Sequence, residues 1–116
     1  MNLSVYEKAY KLALEMHRLS LTFPKIEQYE LARQLRRATK SIAMNVVEGH
    51  AKKASQAEFV RFLAMAHGSS QEVKVQLNFC KDLGYITEPE FSYFVEKHEE
   101  VGRMLYSLMR KTKLSE

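Results

Sequence analysis

Apolar residues recur along this chain at the three-and-four spacing of α-helices, and nowhere with the alternation of a half-buried strand. The first such run predicts a helix from about Leu3 to Thr22, with Val5, Ala9, Leu12, Met16, Leu19 and Phe23 on its main apolar stripe. Pro24 ends it, because the residue before a proline is pushed out of the helical region. A second apolar set, Leu3, Tyr10, Leu14 and Leu21, falls on the far side of the same helix. A bundle helix needs one buried stripe; two predict that this one is covered on both sides, which favours self-association.

The next run predicts a helix from about Gln28 to Gly49, with Leu31, Leu35, Ala38, Ile42 and Val46 facing inward. Gly49 is expected to stop it as a C′ residue in the left-handed conformation. After the basic loop His50-Ala51-Lys52-Lys53-Ala54, Ser55-Gln56-Ala57-Glu58 has capping-box spacing and opens a third helix. Phe59, Leu63, Ala66, Ser70, Val73, Leu77 and Cys80 form its core stripe, and Asp82-Leu83-Gly84 its stop. Gly68 lies mid-helix, where glycine costs about 1 kcal/mol relative to alanine. Close approach of another backbone is the expected compensation.

Thr87-Glu88-Pro89-Glu90 is a second capping box, with proline in the tolerant first turn. Phe91, Phe94, Val95, His98, Gly102, Leu105, Met109 and Thr112 make the inward face of the fourth helix. Its carboxylates cluster early and its cations late, matching the helix dipole. Four long helices with short links predict one all-α domain over residues 1–116, an antiparallel up-down-up-down bundle.

Composition narrows the class. The 116 residues suffice for one continuous core, and the four Gly and two Pro leave little irregular chain. A lone cysteine, Cys80, makes no internal disulfide and suits a reducing compartment. No apolar run approaches the ~18 residues of a membrane span. The charged N-terminal stretch is unlike a signal peptide. The protein is therefore expected to be cytoplasmic, without membrane association. Of the net charge of +4, residues 25–53 carry seven basic and three acidic groups, which alone is +4. The excess sits on the second helix and the loop after it.

Placed on a helical wheel, that helix divides into three faces. Opposite its core stripe lie Arg33, Arg36, Arg37 and Lys40. Lys52, Lys53 and Arg61 are placed to extend this surface around the corner into the third helix. Clustered cations of this kind are the footprint of an anionic partner, nucleic acid first. Glu27 and Glu30 stand in the helix's first turn, where its dipole favours them, and offset little. Between core and cations runs a polar line of Gln34, Ser41, Asn45 and Glu48. Asn45 lies at the core margin and needs a hydrogen-bond partner. It could line a cleft, but a structural role in register or at a subunit interface is the stronger reading.

Catalytic chemistry finds little support. The Glu-x-x-His of bundle di-metal sites is absent, and His17, His50, His67 and His98 form no i, i+4 ligand pair. Cys80 falls on the core stripe as a small apolar filler. His67 is mid-helix, as in phosphotransfer bundles, but Ser70 and Gln71 stand where those carry Lys at +3 and Gly at +4. No enzymatic activity, cofactor or metal is expected.

With these residues in view, the chain resembles the four-helix-bundle family of 23S rRNA intervening-sequence proteins, itself similar to the accessory protein of diversity-generating retroelements. The resemblance spans nearly the whole chain. It is carried by Phe23-Pro24, Gln34-Leu35-Arg36-Arg37-Ala38, Ser41-Ile42, Asn45 and Glu48-Gly49, and continues through Glu58-Phe59, Arg61-Phe62-Leu63, Gly68-Ser69, Glu72 and Lys81-Asp82-Leu83-Gly84-Tyr85. Tyr6 stands where many members have Trp, and Met44 where a small residue or Pro is commoner. The resemblance implies a ring-like homopentamer without catalytic activity, and by way of the retroelement protein a basic scaffold for RNA and reverse transcriptase. The expectation is thus an oligomeric bundle binding structured RNA through phosphate contacts. The alternative is a scaffold whose basic face meets an acidic protein.

Overall fold

The computed structural model describes residues 3–114, with the backbone alone for Leu3 and Leu114. Four helices carry the fold: α1 (Leu3–Ser20), α2 (Leu31–Ala51), α3 (Gln56–Asp82) and α4 (Glu88–Leu114). A single 3₁₀ turn, Lys25–Glu27, lies between α1 and α2. Among the described residues there is no strand. α2 packs on α1 and α3, and α4 on α3 and more lightly on α1, so α1 and α3 stand diagonally. The result measures 48 × 24 × 19 Å.

Each helix buries the middle of the stripe its spacing predicted, while end positions such as Leu31, Phe59, Phe91 and Met109 are only half-buried. Leu12, Met16, Leu35, Ile42, Leu63, Leu77, Val101 and Leu105 form the fully covered centre. Contacts between neighbouring helices run in reverse chain order. Ser41 meets Ser69 while Gly49 meets Phe62 across α2 and α3, and Lys8 meets Glu100 while Glu15 meets Tyr93 across α1 and α4.

Three expectations are corrected. α2 begins at Leu31 rather than Gln28. The Gln28 side chain is committed to the corner instead, donating to the carbonyls of Ser20 and Phe23 at 3.0 Å each. Gly49 is not a left-handed stop: α2 continues to Ala51, and Gly84 is the one glycine with positive φ, at 79°, among the described residues. Gly49 is there for space. A Cβ on it would lie 3.1 Å from Phe62 Cβ and 3.4 Å from the Phe59 carbonyl oxygen, so α3 can approach this closely only at a glycine. Gly68, where that approach was expected, has no atom within 4 Å of a built Cβ and is exposed.

The helix ends otherwise follow their sequence signals. Thr87 and Glu90 form a reciprocal box, with Thr87 N donating to Glu90 Oε1 at 2.8 Å and Glu90 N to Thr87 Oγ1 at 3.2 Å. The Ser55 box is half made. Ser55 Oγ accepts from Glu58 N at 3.3 Å, but the Ser55 amide already donates to the Lys52 carbonyl and the Glu58 carboxylate turns to Arg61. At the end of α3, Tyr85 N reaches back to the Cys80 carbonyl at 2.9 Å, the six-to-one bond of a glycine-closed helix.

Candidate nucleic-acid interface

The α2 cations divide by what holds them. Arg36 is half-buried and its guanidinium is spent within the chain: Nη1 donates to Ser20 Oγ at 3.0 Å and Gln28 Oε1 at 3.2 Å, and Nη2 to the Gln28 carbonyl at 2.7 Å. It ties the end of α1 and the 3₁₀ corner to α2. Arg33, Arg37 and Lys40 are exposed, and none has a hydrogen bond or ion pair among the described residues. At i, i+4 and i+7 they share one outer face. Glu72 lines the α2–α3 groove with Arg37, Gln34 and Ser41 but forms no ion pair there.

The corner cations are differently placed. Lys52 pairs with Glu48 at 3.4 Å, and Arg61 with Glu58 at 2.7 Å. Both also lie over the Phe62 ring, at 5.1 and 4.5 Å from its centroid. At 1.5 Å per residue, Lys52 stands about 18 Å along α2 from Lys40. Lys53 is exposed and unpaired among the described residues. Arg33, Arg37 and Lys40 thus form one open group, and the corner a second in which two of the three cations are paired.

One residue joins the open group that helical spacing within α2 could not supply. His17, in the last turn of α1, borders the same groove as Lys40. Partial burial holds the His17 imidazole below its ordinary pKa, and the nearby charges of Lys40, Arg36 and Arg18 push the same way. The three neighbouring cations thus act on His17 in the same sense. The signal was in the sequence as the cationic last turn of α1, but it becomes a neighbour only once α1 is folded back onto α2.

The polar line serves architecture. Asn45 Nδ2 donates to the Ser41 carbonyl at 2.8 Å and Ser41 Oγ at 2.9 Å, and Ser41 Oγ lies 3.0 Å from Ser69 Oγ on α3. Asn45 therefore braces the serine that crosses between helices. Glu48 is exposed, beside Lys52.

Next to the cations, α1 and α2 enclose an open groove of about 600 Å³, walled by Tyr6, Tyr10, Leu14, Met44 and Val47. Lys40 and His17 border it, and so does Glu48. Tyr10, Leu14 and Met44 remain 51%, 40% and 66% exposed, so the second stripe of α1 is not covered within the chain. Leu21 on that stripe is exposed too, while the Leu3 side chain lies outside the described residues. On α3, Val75 and Phe79, at i and i+4, form another exposed apolar pair, with Met65 exposed further along the helix.

Nucleophilic chemistry has poor footing here. Cys80 is fully buried, and desolvation raises its thiol to about 11. Among the described residues no cluster of three His, Cys, Asp or Glu is disposed to hold a metal, and no helix is long and apolar enough to cross a membrane.

Residues 1–107 match the family model described as 23S rRNA-intervening sequence protein. The fold is similar to the crystal structure of a protein of unknown function from the S23 ribosomal protein family of Bacteroides thetaiotaomicron, with a TM-score of 0.85 at 21% identity. The alignment covers 92% of this chain and 96% of that one. No functionally curated protein matches.

Proposed function

This chain belongs to the family of 23S rRNA-intervening sequence proteins, and from that premise we propose that it is a non-enzymatic, oligomeric bundle that binds structured RNA. The carrying observation is the open group on α2: Arg33, Arg37 and Lys40 share a face and form no ion pair among the described residues, although Glu72 and Glu48 line grooves beside Arg37 and Lys40. A helix that only covered a core would have no use for three unpaired cations beside a fourth that the fold consumes. Arginine forks and a lysine spread over two turns can contact successive phosphates of a nucleic-acid backbone, with Lys53, His17 and Arg18 adding to the field. Lys52 and Arg61 contribute less, being paired. Such a face reads charge and spacing, not sequence.

The reverse order of helix contacts supports an antiparallel up-down-up-down bundle, and membership of an rRNA-related family is consistent with the cytoplasm. The α1–α2 groove and the exposed apolar pair of α3 support assembly. They are unlike surfaces on different sides of one chain, so joining them between copies gives head-to-tail contacts, which close into a ring or continue as a fibre. The family resemblance favours the ring, as a pentamer.

The test is the double reversal Arg33→Glu/Arg37→Glu, both exposed and free of internal partners. RNA retention at low salt should fall by roughly tenfold or more, and the slope of log affinity against log salt should flatten by about one for each phosphate no longer neutralised. Unchanged retention would reject this face. One observation favours a second reading, in which an acidic protein such as a reverse transcriptase is the partner: Lys40 borders an apolar groove, the mixed chemistry of a protein interface. Partners that survive nuclease treatment and fail to bind the same double variant would favour it.

A further inference from the structure

A different surface carries chemistry that the α2 face does not explain. Between α3 and α4 lies a cleft of about 270 Å³. His67, Gln71 and Lys74 line it from α3, at i, i+4 and i+7; Glu99, Arg103 and Tyr106 line it from α4. None of these six side chains has a hydrogen bond or ion pair among the described residues, although a carboxylate and two full cations share the cleft. Its floor is Gly102, which is buried.

Gly102 is the telling residue. Its φ is not positive, so the backbone does not require glycine. Packing does not require it either, since a Cβ there would sit 3.8 Å from both His67 Nε2 and Ser70 Oγ, an ordinary contact. A glycine inside a helix costs about 1 kcal/mol relative to alanine. What the missing methyl does provide is room beside the His67 ring at the base of the cleft.

We propose that this α3–α4 cleft is a phosphate-binding site, suited to a phosphate monoester. Lys74 and Arg103 supply charge from the two walls, His67 and Gln71 supply directional donors, and the Tyr106 hydroxyl donates at the mouth. Glu99 is the single opposing charge, leaving the cleft with an excess of cations. The cleft is open to solvent along the two helices, so a phosphate held there keeps its attachment outside. An exposed aromatic ring at the mouth offers a surface to a nucleoside so attached.

Histidine imidazole signals in NMR spectra of the full chain provide the test, with inorganic phosphate, adenosine monophosphate and adenosine added separately at matched ionic strength. His67 should shift saturably with both phosphates and not with adenosine, while His50, in the basic corner, serves as the control for bulk charge. A midpoint roughly tenfold lower for the monophosphate identifies a nucleotide as the ligand; equal midpoints identify the phosphate alone. Gly102→Ala should fold at least as stably as the wild type yet weaken the response by about tenfold, and Lys74→Ala/Arg103→Ala should abolish it. No saturable shift at His67, or a shift that survives the double variant, overturns the proposal. The Arg33→Glu/Arg37→Glu protein should respond normally, so failure of this site and failure of the α2 face are told apart.

Discussion

At the scale of single residues, the most consequential group is one that binds nothing outside the chain. His98 is fully buried on the inward face of α4, its Nδ1 is 2.8 Å from the Phe94 carbonyl, and its Nε2 has no partner. Desolvation lowers its pKa to about 4, Lys74 pushes the same way, and the Phe94 bond opposes both. An unfolded histidine titrates near 6.5. Between these values the unfolded chain binds the proton that the folded chain refuses, so stability is complete above pH 6.5 and is lost as pH falls towards 4. The shift corresponds to about 3 kcal/mol over that window. Urea titrations at pH 7 and pH 4.5 should show most of this loss. His98→Leu should flatten the dependence, leaving the smaller contributions of His17 and His50, whose pKa values are also lowered. Parallel curves for variant and wild type would mean that another group sets the acid limit.

At the scale of elements, the main stripes of all four helices were legible because they answer to a period that one sequence displays, although buried neighbours such as Ala32, Thr39, Gln76 and Val101 lie off those stripes. What was not legible lay where two elements meet. Gly49 and Gly68 both lie within helices, and the sequence reading assigned the close approach to the wrong one. Only the packed α2–α3 seam reveals that Phe59 and Phe62 press on Gly49 while Gly68 faces outward. Arg36 shows the same limit: on a helical wheel it belongs with Arg33 and Arg37, yet the Gln28 corner, invisible to periodicity, takes its donors. The seam gives opposite predictions for one substitution. Gly68→Ala should stabilise by up to about 1 kcal/mol through helix propensity alone. Gly49→Ala gains the same propensity but drives a methyl group against Phe62 Cβ, which cannot move without its backbone, and overpacking of this kind costs about 1–3 kcal/mol. Thermal melts that rank the two variants the other way would show that the α2–α3 seam is looser than its distances imply.

For the whole molecule, the question is what covers the α1–α2 groove. A monomer of this size rarely leaves a contiguous apolar surface beside a cationic one without a partner. Leu14 and Met44 both line the groove, exposed and remote from the core, so charges placed there should leave the folded chain intact. If the groove receives the α3 pair of the next copy, Leu14→Glu/Met44→Glu should drop the mass measured by light scattering from a multiple of 13.5 kDa to the single chain, with helical content retained. Phe79→Glu, on the opposite surface, should do the same, because a head-to-tail contact fails when either half is spoiled. Mixing the two variants tests the geometry further: each still has one intact surface, so an equimolar mixture should form heterodimers and nothing larger. The consequence reaches the RNA reading, since a ring repeats the Arg33, Arg37 and Lys40 face once per subunit. Several weak contacts on one assembly multiply through effective concentration, so the monomeric Phe79→Glu variant, whose new charge lies away from the α1–α2 groove and its Lys40, should lose about 10²-fold or more in RNA affinity. A monomeric wild-type protein would remove that multiplication, and the three cations of one α2 would have to account for binding by themselves.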